Sequence, residues 1–119
     1  MDHRCPHDAW VNSIQVLEPS SGPRHEIRQL EIRLELLGAY HDGRIQITYP
    51  GVREYSIFQP HDHGPHDPRA RGHGDWLIDE VSPSDRGNPD FPLVIHEIVF
   101  SNRGILRIES QEILFEWLP

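Results

Sequence analysis

Short apolar runs with a two-residue period, separated by turn residues, restrict most strongly what this chain can fold into. In the clearest run, four apolar residues alternate with charged ones: Leu30, Ile32, Leu34 and Leu36. Such alternation is typical of a strand with one buried face. A helix over residues 25–37 is the competing interpretation, because Glu, Arg and Leu are good helix formers. A helix would place Ile32 and Leu36 on its wet face, so the pattern favours a strand.

Comparable runs recur along the chain, at residues 9–17, 45–49, 52–58, 76–81, 93–100, 105–110 and 112–118. Turn pairs such as Asp42-Gly43 and Pro50-Gly51 separate them. The run at 93–100 is apolar on both faces apart from two residues, as a central strand would be. We therefore expect an all-β fold, mainly antiparallel, with seven or eight short strands in a sandwich or open barrel. The last three strands are expected to form a meander.

An α+β fold with one helix is the alternative, with the helix at 25–37 or in the polar segment 82–92. The length of 119 residues predicts a single domain spanning 1–119. Residues 60–74 contain no apolar residue except Ala70. We expect them to form a long loop rich in His, Pro and Gly within that domain, of a length that is either functional or disordered.

The charge balance restricts the class of partner. All 11 basic residues are arginines, and the net charge is −8. Nucleic-acid binding needs clustered positive charge, so no nucleic-acid partner is expected, whereas an acidic surface favours a basic protein. No run approaches the ~20 apolar residues of a membrane span. The first residues lack the apolar core of a signal peptide, so the expected location is the cytoplasm.

The histidines of the 60–74 loop are the strongest candidates for a metal site: His61, His63, His66 and His73. Imidazole groups at close spacing suit zinc or nickel. The competing interpretation is a solvated loop whose histidines bind no physiological metal. No cofactor other than such a divalent metal is expected.

A second candidate lies in the most apolar run, where His96 and Glu97 point to opposite faces. At least one of them should be partly buried, and a buried ionisable group needs a partner or shifts its pKa. A neighbouring arginine or a backbone group is the expected partner. The sequence contains no nucleophile elbow, dinucleotide-binding or P-loop motif, so catalysis is less expected than binding.

The order of several short motifs resembles that of a known group. His7-Asp8-Ala9 precedes the first strand, Tyr49-Pro50-Gly51-Val52 follows a later one, and a strand containing Trp76 comes next. This arrangement resembles small bacterial proteins with a His-Asp-Ala start, which include immunity proteins of polymorphic toxin systems. The resemblance implies a small β-rich fold. It places His7 and Asp8 at the entry to the first strand, in a turn or a small polar site.

These observations lead to a leading function and its alternatives. The leading hypothesis is a non-catalytic protein-binding, immunity-like domain whose acidic face blocks a basic partner such as a toxin. The alternative is a metal-binding domain or metalloenzyme that uses the His61–His73 loop. A homo-oligomer formed through apolar edge strands is a third hypothesis.

Overall fold

The computed structural model describes residues 9–38, 43–59, 76–101 and 103–118. These ranges contain ten strands and no helix. The strands are β1 (Trp10–Leu17), β2 (Ser20–Ser21), β3 (Ile27–Arg28), β4 (Glu31–Leu37), β5 (Arg44–Tyr49), β6 (Glu54–Phe58), β7 (Trp76–Pro83), β8 (Val94–Phe100), β9 (Ile105–Ser110) and β10 (Leu114–Leu118). The all-β prediction is confirmed, and the α+β alternative is wrong for these residues.

Two four-stranded antiparallel sheets pack face to face and do not close into a barrel. The first has the strand order β1-β4-β5-β10 and the second β6-β9-β8-β7, while β2 and β3 form a separate two-stranded ribbon. Alternate residues of the inner strands supply the core: Ile32, Leu34, Leu36, Ile45, Ile47 and Tyr49 from the first sheet, and Ile98, Phe100, Leu106 and Ile108 from the second. Burying each such side chain stabilises the fold by roughly 1.5–3 kcal/mol.

The segment with the strongest alternation is a strand, as predicted. In β4 the residues Ile32, Leu34 and Leu36 are buried, and the charged residues between them face away from the core. The run at 93–100 is also placed as predicted, because β8 lies inside the second sheet between β9 and β7. The β4–β5 pairing is antiparallel, and the Gly38 N–H donates to the Gly43 carbonyl at 3.0 Å. Asp42, predicted for this turn, lies outside the described residues.

The predicted meander of the last three strands is wrong. β8 and β9 pair as a hairpin, but β10 leaves their sheet and pairs with β5 in the other one. Two crossings between the sheets, β5 to β6 and β9 to β10, meet at one corner. There the Arg53 N–H donates to the Glu109 carbonyl at 2.8 Å, and the Gln111 N–H lies 3.2 Å from the Pro50 carbonyl oxygen. Alternation in a strand fixes which side chains face the core, but not which neighbour the strand selects.

Gly51 permits this close crossing. Its φ of 60° lies in the left-handed region, and a Cβ at this position would collide with the side chain of Gln111. On the opposite side of the sandwich, the Trp76 N–H donates to the Ala9 carbonyl at 2.8 Å and links the starts of β7 and β1. Both of these edge strands contain a register shift, between Val11 and Ser13 in β1 and next to Trp76 in β7.

Candidate functional site

Three side chains form a hydrogen-bonded chain that joins the two sheets. Tyr49 Oη lies 2.6 Å from His96 Nδ1, and His96 Nε2 lies 2.7 Å from Asp79 Oδ2. The indole N–H of Trp76 donates to the other Asp79 oxygen at 3.3 Å. Tyr49 and His96 are fully buried, whereas the Asp79 side chain keeps 34% of its exposure. The chain therefore runs from the centre of the core to the β7 edge.

A β-bulge brings Asp79 into this chain. Trp76 and Asp79 are three residues apart, so in a regular strand their side chains would point to opposite faces. The register shift between Trp76 and Ile78 inserts one extra residue. Trp76 then faces Phe100 and Asp79 faces Ile98, and both of these β8 residues are buried in the core. Bulges commonly re-aim a side chain in this way.

The protonation states follow from burial and hydrogen bonding. Burial lowers the pKa of His96, and the hydrogen bond and negative charge of Asp79 only partly oppose this effect. Burial, followed by the charge of Asp79, raises the pKa of Tyr49 well above its ordinary value. We therefore assign a neutral imidazole whose Nε2–H donates to Asp79 and whose Nδ1 accepts the phenolic proton of Tyr49. Each of the three side chains then has one consistent role as hydrogen-bond donor or acceptor.

This arrangement supports a structural role more directly than a chemical one. Tyr49 belongs to the first sheet and His96 to the second, so their hydrogen bond ties the two layers together. In the described part of the chain, every buried side-chain nitrogen or oxygen has a hydrogen-bond partner. The Tyr49 hydroxyl and the His96 ring lie inside the core, and the Asp79 carboxylate is the member that reaches solvent.

The prediction that His96 and Glu97 point to opposite faces, with at least one of them buried, is confirmed. The predicted partner of His96 is wrong. His96 is buried and Glu97 is exposed on the outer face of β8. The partners of His96 are a phenol and a carboxylate instead of an arginine or a backbone group. Its position as a polar residue within an apolar run was sufficient to predict His96 as a candidate buried residue. Asp79 sits in an ordinary amphipathic run, and only the bulge makes it a core-facing residue.

A second polar cluster, which the sequence did not indicate, lies on the outer face of the second sheet. Ser84 Oγ donates to a carboxylate oxygen of the buried Glu109 at 2.5 Å, and Arg86 bonds both oxygens of the same carboxylate. Arg86 also bonds Glu54 at 2.8 Å. Burial raises the pKa of Glu109, but the hydrogen bonds of Arg86 and Ser84 and the charge of Arg86 outweigh it and hold the pKa below its usual range.

The same outer face carries an uncovered apolar row. Four residues stand opposite one another across all four strands, and we call them the apolar row: Phe58, Ile105, Val99 and Ile78. Phe58 is 60% exposed and Ile78 is 62% exposed. The next row contains Glu97 and Glu80 directly opposite each other. Regular alternation would place Ile78 on the same face as the buried Trp76. The bulge in β7 and the register across four strands, which depend on the tertiary pairing, therefore create this row.

The remaining predicted site residues lie outside the described residues: His7, Asp8, His61, His63, His66 and His73. The zinc or nickel site therefore stays a prediction. Among the residues that the structure describes, no group of three or more His, Cys, Asp or Glu side chains is arranged to hold a metal ion.

Comparison with known proteins adds no family assignment. No family model matches the chain, and no curated protein matches it. The resemblance to immunity proteins therefore stays a prediction. Within the described ranges, no helix has the length and apolar character needed to cross a membrane.

Proposed function

We propose that the protein is a non-catalytic protein-binding module of the immunity type, which binds a basic protein partner. The apolar row is the observation that carries the proposal. It crosses a whole sheet on the face turned away from the core, so the sandwich itself does not need it. Apolar surface of this kind, bordered by polar residues, commonly marks a protein interaction site.

The exposed side chains of the row supply the energy for binding. Phe58 and Ile78 are each more than half exposed, and the row continues between them through Val99 and Ile105. Covering such a side chain in a complex yields up to roughly 1.5–3 kcal/mol before the costs of association are subtracted. The four strands present these side chains in one row on the same face, so one partner surface can cover all of them.

Charge supports a basic partner. Glu80 and Glu97 face each other across β7 and β8, and like charges in directly opposed positions destabilise a sheet. On the other side Glu97 faces Arg107. Within the described ranges, neither Glu80 nor Glu97 forms an ion pair closer than 4.0 Å. With a net charge of −8, the molecule attracts cationic surfaces, and complementary charge speeds association.

Affinity purification from cells that carry the gene tests this function. Wild-type protein should enrich a basic protein, and the complex should weaken as salt rises. Ile78→Glu places a charge in the apolar row and should abolish the enrichment. Leu114→Glu is the matched control, because Leu114 is an exposed apolar residue on β10 of the other sheet. The proposal fails where no protein is enriched, or where both variants retain the same partner.

A further inference from the structure

We propose that two copies of this chain pair antiparallel through β6, with Ser56 of one copy facing Ser56 of the other on a twofold axis. The pairing extends the second sheet from four strands to eight. It lies in the plane of the sheet and leaves the outer face open. The inference therefore stands apart from the proposed function and can hold or fail without it.

The edges of the two sheets are not equally protected against such pairing. β1 and β7 each contain a register shift, and β7 also carries Asp79, Glu80 and Pro83. Bulges, charges and prolines are the devices that normally prevent edge strands from pairing. β6 pairs in regular register with β9 over all five of its residues and has the sequence EYSIF. It lies at the edge of its sheet and carries none of these devices except Glu54.

The backbone groups available on the free side of β6 can be identified. In β9 the even-numbered residues face β8, because the Phe100 N–H donates to the Gly104 carbonyl at 2.9 Å and the pairing continues in the same register. Backbone groups alternate in direction along a strand, so the odd-numbered residues of β9 face β6 and pair with its even-numbered residues. The N–H and C=O groups of Tyr55 and Ile57 therefore point away from the sheet. With Ser56 on the axis, Tyr55 of each copy stands opposite Ile57 of the other, and the two residues of each pair can exchange backbone hydrogen bonds.

The side chains are self-complementary in this register. Tyr55 faces Ile57 of the second copy, and the symmetric partner repeats the contact. Aromatic and β-branched residues are favourable cross-strand pairs. Glu54 faces Phe58 of the second copy, so no carboxylate opposes another. All three apolar residues of β6 are more than 40% exposed in the single chain, and the pairing covers part of them.

The other regular edge strand, β10, does not offer the same fit. An equivalent pairing of β10 about its central residue places Glu116 opposite Glu116 of the second copy. Directly opposed like charges are unfavourable. The comparison selects β6, and it selects a second copy as the occupant, because an isologous dimer requires a surface that complements itself.

Sedimentation velocity over a range of protein concentrations tests the proposal. The wild type should reach twice the 13.8 kDa mass of one chain. Ile57→Pro removes an N–H that points to the free edge, so it should abolish the dimer and leave the fold intact. Ser56→Glu places a carboxylate opposite Arg107 within the chain, but opposite its own copy across the axis. It should weaken dimerisation about fivefold or more.

The matched control is Gln15→Glu, which also places a carboxylate opposite an arginine, Arg33, on an edge strand of the other sheet. It should leave the dimer unchanged. A wild type that stays monomeric at every concentration overturns the proposal. So does a dimer that Ser56→Glu weakens no more than the control does. Circular dichroism reports whether Ile57→Pro has folded, and the glutamate variant decides the outcome where it has not.

A cross-link tests the register itself. In a background with Cys5→Ser, Ser56→Cys places two thiols on the axis with Cα atoms about 4.5 Å apart, within disulfide reach. Phe58→Cys places them about 13 Å apart along the strand, beyond that reach. Mild oxidation should yield a covalent dimer with the first variant only. Equal yields from both variants overturn the register.

Discussion

Replacing Tyr49 with phenylalanine removes one oxygen atom from the centre of the sandwich and leaves His96 without its hydrogen-bond donor. The ring of Tyr49 is fully buried, so phenylalanine fills almost the same volume. The 2.6 Å bond to His96 Nδ1 is lost. His96 cannot exchange tautomers to compensate, because its Nε2–H is required by Asp79. The acceptor Nδ1 remains buried and unsatisfied.

The expected loss of stability follows from that orphaned acceptor. A buried polar group that loses its partner costs about 1–3 kcal/mol in the free energy of unfolding. For a domain of 119 residues, this corresponds to a fall in Tm of roughly 4–12 °C. Phenylalanine has no hydroxyl group that must lose its water on folding, and this offsets part of the lost stability. We therefore expect a loss of unfolding free energy in the lower half of that range.

Urea unfolding followed by tryptophan fluorescence measures the change, and Tyr55→Phe is the matched control. Tyr55 lies on the edge strand β6 and is 41% exposed, so its hydroxyl can bond to water. We expect a control change below about 0.5 kcal/mol. If Tyr49→Phe and Tyr55→Phe agree within that margin, the hydrogen bond between the sheets does not stabilise the fold as argued.

Three further predictions concern the ionisable groups. Because burial lowers the pKa of His96, the unfolded chain binds more protons than the folded chain below about pH 6.5. The free energy of unfolding therefore decreases as the pH is lowered. His96→Gln keeps a donor and an acceptor, so urea unfolding should show a smaller loss between about pH 7 and pH 5; an unchanged loss would contradict this. Arg86→Ala should lower the Tm more at about pH 7 than at pH 4, because the stabilisation from the lowered pKa of Glu109 is complete above the ordinary carboxyl pKa and is lost as the pH falls through the pKa of the folded state; equal losses would refute this. For the histidine-rich residues 60–74, equilibrium dialysis should show weak, non-stoichiometric zinc or nickel binding; tight one-to-one binding lost in His61→Ala/His63→Ala would instead establish a metal site.

The eight longer strands could be predicted because the spacing of apolar residues within each run indicates its buried face. The two-residue strands β2 and β3 were not predicted, so the structure has ten strands instead of seven or eight. Alternation favoured a strand over a helix for β4, since a helix would have exposed Ile32 and Leu36, and the structure confirms the strand. A run with apolar residues on both faces identified β8 as an interior strand. The neighbour of β10 could not be predicted, because its partner β5 is far away in sequence. Contacts at the corner around Gly51 decide that choice, and they exist only in the folded molecule.

The polar chain in the core was predictable at one of its three positions. His96 interrupts an apolar run, so burial and the need for partners follow from the sequence. Tyr49 ends a strand pattern in which a core aromatic needs no special explanation, and it lies 47 residues from its partner. Asp79 faces the core because of a one-residue bulge, and no turn residue in the sequence marks that bulge. Distant pairing and local irregularity are the features that periodicity does not encode.

The return of β10 to the first sheet determines when the molecule can complete its folding during synthesis. β1, β4 and β5 emerge from the ribosome long before β10, yet β5 pairs with β10 along five positions. Until residues 114–118 are released, one side of β5 keeps its backbone donors and acceptors unpaired. Closing this long-range contact is the slow kind of step in β-sheet folding. The sandwich therefore reaches its final form only after translation has passed β10. A nascent chain stalled earlier exposes the edge of β5, whose unpaired backbone groups can pair with strands of other chains.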